Sequence, residues 1–345
     1  MSSRVFPEQE WKTLSPEAAG FHSEKLARAK QWLDEKMADQ TYRVVIVRHG
    51  QLVVEWNQGA DRNQYFRLAS AAKSIYSNVL GIAIAEGALL SADAKVYDFY
   101  PEMMDVPEGE GPKPGRYAFE KDREITFRQL ISNTSGYMKP GEEPGQVFHY
   151  QTYGMNILTH AIAKAYGYYD INDPEGSPGF KMLIEEKLAK PIGANWKYTL
   201  SNFDLQPKAR LNIFGYYCQV GTTALDWARL GWLWCNWGRW RNDQIIPEAW
   251  LRESVKTEAA IVAHSPQTEW KYGLGFWVND RGQLWSDLPR DGFTASGAGG
   301  HYLTVFPTQR LVVVQNPGRY HRDASGGTER GNPELLATIL GALED

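Results

Sequence analysis

Cysteine is nearly absent from this 345-residue chain, which has only Cys218 and Cys235. No Cys-x-x-Cys pair exists, which excludes a zinc ribbon and a thioredoxin-type redox site. Both cysteines lie in apolar surroundings and are expected to be buried thiols of a reducing compartment. Long hydrophobic runs are also missing. The longest nearly apolar stretch, 78–90, is too short to span a bilayer and contains Glu86. Residues 1–11 carry Arg4, Glu8 and Glu10 with no apolar centre, which is not the pattern of a signal peptide. The expectation is a cytoplasmic protein with no membrane partner. Charge of one sign is not in excess: 37 basic and 41 acidic side chains give a net charge of -4, which argues against a nucleic-acid partner. The seven histidines are scattered, with no pair at i, i+4, so no metal site and no cofactor are expected. Gly-x-Ser-x-Gly, Gly-x-x-x-x-Gly-Lys and His-Glu-x-x-His do not occur.

The composition that remains is that of a folded globular protein, 43% hydrophobic and 23% charged. Aromatics make up 13% and include 13 Trp, which points to aromatic-lined packing or a pocket. The length suits about two domains. Ser15-Pro16-Glu17 reads as a helix start, and Leu26, Ala29, Trp32 and Leu33 follow at helical spacing. Residues 42–47 and 52–56 form β-type runs around His49-Gly50, an antiparallel hairpin. A long helix is expected from Ser70 to Glu86, with Gly87 ending it. From about 97 to 250 the signals are mostly helical, with helices at 126–131, 153–166 and 223–237. Strand signals return at 274–279, 300–306 and 311–315, and Asn332-Pro333 opens a last helix. This order predicts an α/β fold of the α+β type. An antiparallel sheet would be flanked by N- and C-terminal helices, with an all-α domain inserted. The boundaries would be 1–75 and 255–345 for the discontinuous α/β domain and 76–254 for the helical one, with the active site between them.

Within this frame one tetrapeptide carries chemistry. Ser70-Ala71-Ala72-Lys73 is the only Ser-x-x-Lys in the chain. A match this short can arise by chance, and a capping Ser followed by a solvated Lys would look the same. Its placement says more. Ser70 stands where a polar loop becomes an apolar helix, and residues i and i+3 share a helix face. The positive end of the helix dipole favours a developing alkoxide at Ser70. The dipole and the apolar neighbours Ile75 and Val79 should push Lys73 toward the neutral amine of a general base.

The stretch 68–74 resembles the nucleophile motif of the serine β-lactamase and penicillin-binding-protein superfamily, nearest its class C-like branch of esterases and amide hydrolases. Five further segments are similar in the same order. They are 125–136, with Asn133 where His is usual; Phe148-His149-Tyr150-Gln151-Thr152; 221–228; Tyr272-Gly273-Leu274-Gly275-Phe276-Trp277; and Ser296-Gly297-Ala298-Gly299-Gly300. The resemblance spans about residues 15–345. It implies Ser70 as the acylated nucleophile, Lys73 as its base or proton shuttle, and Tyr150 as the phenol that passes a proton to the leaving group. The backbone N–H groups of Ser70 and Ala298 would form the oxyanion hole. Thr152, Tyr137, Trp277, Ser296 and Gly297 would line the pocket, with core packing the other reading for Tyr137 and Trp277.

Departures from the family pattern shape the substrate expectation. Thr152 replaces an Asn that binds the acyl amide of β-lactams. Ala295 replaces a cation that holds a substrate carboxylate, unless Arg319 or Arg322 reaches in. A neutral ester or small amide is therefore expected over a β-lactam, as a small-molecule substrate of a serine hydrolase. A weak β-lactamase, a D-aminopeptidase-like amidase and a non-catalytic binding module are the competing readings. The six Trp from Trp227 to Trp250 are expected in helix packing, and His301 as a strand residue.

Overall fold

The computed structural model describes residues 5–203, 205–317 and 330–344. Along the chain run α1 (Ser23–Met37), β1 (Tyr42–Arg48), β2 (Gln51–Gln58), β3 (Phe66–Arg67) and α2 (Ala72–Ala85). Then come α3 (Phe127–Ile131), α4 (Tyr153–Ala165), α5 (Gly179–Ile184), β4 (Lys197–Ser201), α6 (Leu211–Phe214), β5 (Tyr217–Thr222) and α7 (Ala224–Cys235). The last part holds β6 (Arg239–Trp240), β7 (Asp243–Gln244), α8 (Glu248–Ser254), α9 (Ala259–His264), β8 (Trp277–Val278), β9 (Phe293–Gly297), β10 (His301–Phe306), β11 (Leu311–Gln315) and α10 (Pro333–Leu340).

Six strands form one antiparallel sheet in the order β2-β1-β11-β10-β9-β8, so the first hairpin pairs with the last strand through Val45↔Val314 and its neighbours. The β1–β2 turn places His49 at φ +55° and Gly50 at +82°, the two left-handed positions of a tight hairpin turn. Strand alternation sorts the sheet's side chains between two cores. Val44, Ile46, Leu311, Val313 and Phe306 pack with α1 (Leu26, Ala29, Leu33) and α10 (Leu335, Leu336, Ile339). Val45, Val47, Leu303, Val305, Val312 and Val314 face the helices of the middle region. Against that second face α7 comes close enough that a Cβ on Gly231 would lie 2.4 Å from Val312 Cγ1. The tryptophans 227, 232 and 234 of α7 are all fully buried, the packing role expected of them. Helix α2 is buried on all sides from Ala72 to Ala83, with the polar Lys73, Ser74, Ser77 and Asn78 among the buried residues.

Two expectations are corrected. The first helix begins at Ser23, because Ser15 Oγ accepts Ala18 N–H in a separate turn that closes with Gly20 at φ +73°. The middle region is not purely helical: its strands β4 and β5 make a three-stranded sheet with β3, which precedes it. Every residue of β5 is buried, so the alternation that announces a strand is missing there. Among the described residues no helix is long and apolar enough to cross a membrane, and both cysteines are buried.

Candidate active site

Strand β3 leads straight to Ser70. Phe66 pairs with Thr222, and Leu68 N–H donates to Val220 O at 2.8 Å. Ala69 then takes a left-handed φ of +49°, a costly conformation for a residue with a Cβ. The chain enters one turn of 3-10 helix, Ala69–Ala71, before α2. Ser70 lies inside this turn and its side chain caps nothing, which sets aside the alternative of a plain capping Ser. Its hydroxyl is left to Lys73, whose Nζ donates to Ser70 Oγ at 2.8 Å.

Lys73 is only 1% exposed. Its ammonium lies 4.7 Å from the centroid of the Tyr150 ring and 5.8 Å from that of Tyr217, with Thr152 Oγ1 at 3.5 Å. Burial is the largest influence on this amine and acts to lower its pKa. The phenols of Tyr150 and Tyr217 outweigh it, so the net shift is upward, with Arg330 opposing. The net direction favours the ammonium, opposite to the expected push toward a neutral amine.

Tyr150 is positioned by Asn133. This residue adopts φ +60°, which Asn tolerates better than most. Its backbone carbonyl accepts His149 N–H at 2.9 Å, and its side-chain Oδ1 accepts Gln151 N–H at 2.9 Å. The residues on both sides of Tyr150 are therefore pinned to Asn133. Beside Tyr150 and Thr152 opens a cleft of about 400 Å³, bordered by Lys113, Arg116, His149 and Phe203.

The opposite wall is β9. A Cβ on Gly297 would fall 1.9 Å from Leu68 O and 3.1 Å from Ala71 N, so this strand end lies directly on the Ser70 turn. Ala298 follows in an exposed turn. Ser296 Oγ accepts a hydrogen bond from Arg330 Nη1 at 3.0 Å. The Trp277 ring lies 5.5 Å from that of Tyr150 and carries the Arg330 guanidinium 3.5 Å from its centroid.

The structure thus brings together Ser70, Lys73, Tyr150, Thr152, Trp277, Ser296 and Gly297. Tyr137 is not among them. It is fully buried, and its hydroxyl donates to Met103 O at 2.7 Å, which fixes it in the core. Ala295 also points into the core, beside Phe293, because alternation along β9 turns its side chain inward. Arg319 and Arg322 lie outside the described residues. A cation on the β9 side of the site is Arg330, which sequence reasoning passed over. Its signal was the helix start Asn332-Pro333. Asn332 Nδ2 donates to Gln315 Oε1 at 2.6 Å, and Gln315 Nε2 to Gly331 O at 2.8 Å, tying the segment before α10 to β11.

The profile of the Beta-lactamase family matches residues 29–316. The chain belongs to the β-lactamase family. Among solved structures, this β-lactamase-family chain is similar to a protein provisionally named a β-lactamase from Bacteroides dorei, at TM-score 0.68 and 17% identity, covering 93% of this chain and 99% of that one. It is similar to a family VIII carboxylesterase at TM-score 0.64 and 16% identity, with 92% and 96% covered. A third likeness is a hydrolase with promiscuous acyltransferase activity, at TM-score 0.63 and 15% identity, with 93% and 97% covered. At these identities the likeness is one of fold. No curated protein matches the chain.

Proposed function

We propose that the protein is a serine hydrolase that acts through an acyl-enzyme on an ester or small amide. The observation that carries this reading is the 2.8 Å contact between Lys73 Nζ and Ser70 Oγ, with the Tyr150 ring packed on the same ammonium. With one proton missing from the Lys73–Tyr150 pair, Ser70 Oγ attacks the carbonyl and its proton passes into that pair. The N–H groups of Ser70 and Ala298 receive the oxyanion. The pair returns the proton to the leaving alcohol or amine, and water then releases the acyl group from Ser70. A site built for binding alone has no need of a buried lysine held on a serine hydroxyl. The carboxylesterase and hydrolase among the structural neighbours support the ester reading.

Labelling with a fluorophosphonate probe tests the proposal. The native protein should take up one label on Ser70, and Ser70→Ala should take up none while its circular dichroism is unchanged. An Ala variant that labels as fully as the native protein would overturn the assignment.

A further inference from the structure

We propose that Tyr217 is a positioning residue for deacylation: its buried phenol oxygen takes over the Lys73 ammonium once Ser70 carries the acyl group; this rests on the serine hydrolase reading above. Tyr217 opens β5 and is 2% exposed. Its ring centroid lies 5.8 Å from Lys73 Nζ, so the ammonium has two tyrosine rings beside it, those of Tyr150 and Tyr217. The Tyr217 ring is held by Tyr76, edge-on at 5.8 Å, and by Phe203 at 5.3 Å. The hydroxyl at its end is buried and has no hydrogen-bond partner among the described residues. Tyr76 has no proton to offer that oxygen, because its own goes to Cys218 O. A buried hydroxyl left unpaired costs the fold free energy that a Phe in the same place would not. Burial also raises the Tyr217 pKa, so the group keeps its proton and serves as an acceptor, not as a base.

The reaction cycle gives this oxygen a use. In the resting site the ammonium donates to Ser70 Oγ at 2.8 Å, with Thr152 Oγ1 at the long distance of 3.5 Å. Acylation turns Ser70 Oγ into an ester oxygen, a much poorer acceptor. One of the three N–H donors of Lys73 then loses its partner in a buried site, where an unpaired donor on a charged group is costly. The Tyr217 oxygen is a free acceptor beside it. Held there, the ammonium stays next to Tyr150, and the pair is ready to take a proton from the attacking water. The water oxygen attacks the acyl carbon, its proton enters the Lys73–Tyr150 pair, and the pair returns a proton to Ser70 Oγ as the acyl bond breaks. Tyr217 gives up no proton in this sequence. The competing explanation is that Tyr217 only fills the core between α2 and β5.

Tyr217→Phe is the test, because it removes the oxygen and keeps the ring. With p-nitrophenyl acetate, kcat should fall about ten- to a hundredfold, the range of one hydrogen bond to a charged group. The value of kcat/KM, which reports acylation, and the rate of Ser70 labelling by a fluorophosphonate should stay near native, so KM falls with kcat. Stopped-flow traces should show a burst of about one p-nitrophenol per active site, the mark of an accumulated acyl-enzyme. The denaturant midpoint should equal the native one or exceed it. An unchanged kcat, or a kcat and kcat/KM that fall equally, overturns the inference. A lower midpoint overturns it too, by giving the hydroxyl to the fold. A native protein that neither labels at Ser70 nor releases p-nitrophenol would overturn the hydrolase reading and this inference with it. Native labelling and turnover beside an unchanged Tyr217→Phe variant would overturn this inference alone.

Discussion

On one wall of the cleft, Ser70 and Lys73 are three residues apart, and their 2.8 Å contact follows from helical spacing. On the other wall, Ser296 and Arg330 meet at 3.0 Å across a separation of 34 residues. The first wall is buried, held by a lysine inside the core, and carries the proposed bond-making chemistry. The second is more open, built from a strand end, an exposed turn and a segment entering a helix, and carries part of the proposed oxyanion hole. A local motif can specify reactivity. A wall assembled from distant parts of the chain can change while the reactive motif stays the same.

The largest expected effect is on the first wall. Lys73→Ala and Tyr150→Phe should each lower kcat/KM on the order of 10² to 10⁴, the scale of general acid–base catalysis. If the two side chains work as one proton-transfer unit, the double variant should lose far less than the product of the single losses. The four rates of the cycle decide this, and simple multiplication would separate Lys73 from Tyr150.

An acid-stability experiment asks whether the first wall also yields first. His160 lies on α4, the helix that begins just after Thr152. It stacks on Tyr169 at 4.2 Å, and its Nε2 meets Gly215 O at 2.9 Å. Burial lowers its pKa to about 4. The unfolded chain, with a His pKa of about 6.5, therefore binds more protons, and stability falls as pH drops from about 6.5 to about 4. The full loss should be about 3 kcal/mol. Denaturant midpoints across that window should flatten in His160→Gln; a slope as steep as the native one would place the acid-sensitive group elsewhere.

The smallest of the three effects belongs to the second wall. In Gly297→Ala the new methyl would meet Leu68 O at 1.9 Å, so β9 and the Ser70 turn must separate. A displacement of this kind should cost about 10²-fold in kcat, with Ser70 still able to label slowly. An unchanged kcat would show that the strand end is no part of the oxyanion hole.

What could be read from the sequence follows the same division. The β1–β2 hairpin was legible because its turn needs two left-handed residues and His49-Gly50 provides them. Helix α3 was legible from Thr126 and Gln129, which form a reciprocal cap. Strand β11 falls where its Val-rich run placed it. Strand β5 was not legible: burial on both faces leaves Tyr217–Thr222 without alternation, in a stretch otherwise helical. Tyr137 was misplaced because adjacency to a loop motif does not fix which way a ring points; its bond to Met103 O does. The direction of the Lys73 shift was misjudged because Tyr150, and Tyr217 from β5, 144 residues further along the chain, come to its ammonium. Arg330 was missed for the same reason: only the pairing of Gln315 with Gly331 and Asn332 brings it back to β9.

The sheet order has a consequence for the chain during its synthesis. Strand β1 takes β11 as one of its two neighbours, and the Ser70 turn leans on β9. A chain growing from its N-terminus has therefore made Ser70, Lys73 and Tyr150 while β1 still has an unpaired edge and neither Ala298 nor Arg330 exists. Such a half-made chain would have the proposed nucleophile without the proposed second half of its oxyanion hole. Closure waits for pairings between the two ends of the sequence, which are slow to form. Hydrolytic activity should therefore arrive only with the finished chain, and a terminated fragment should neither cleave esters nor hold its exposed sheet edge free of other strands.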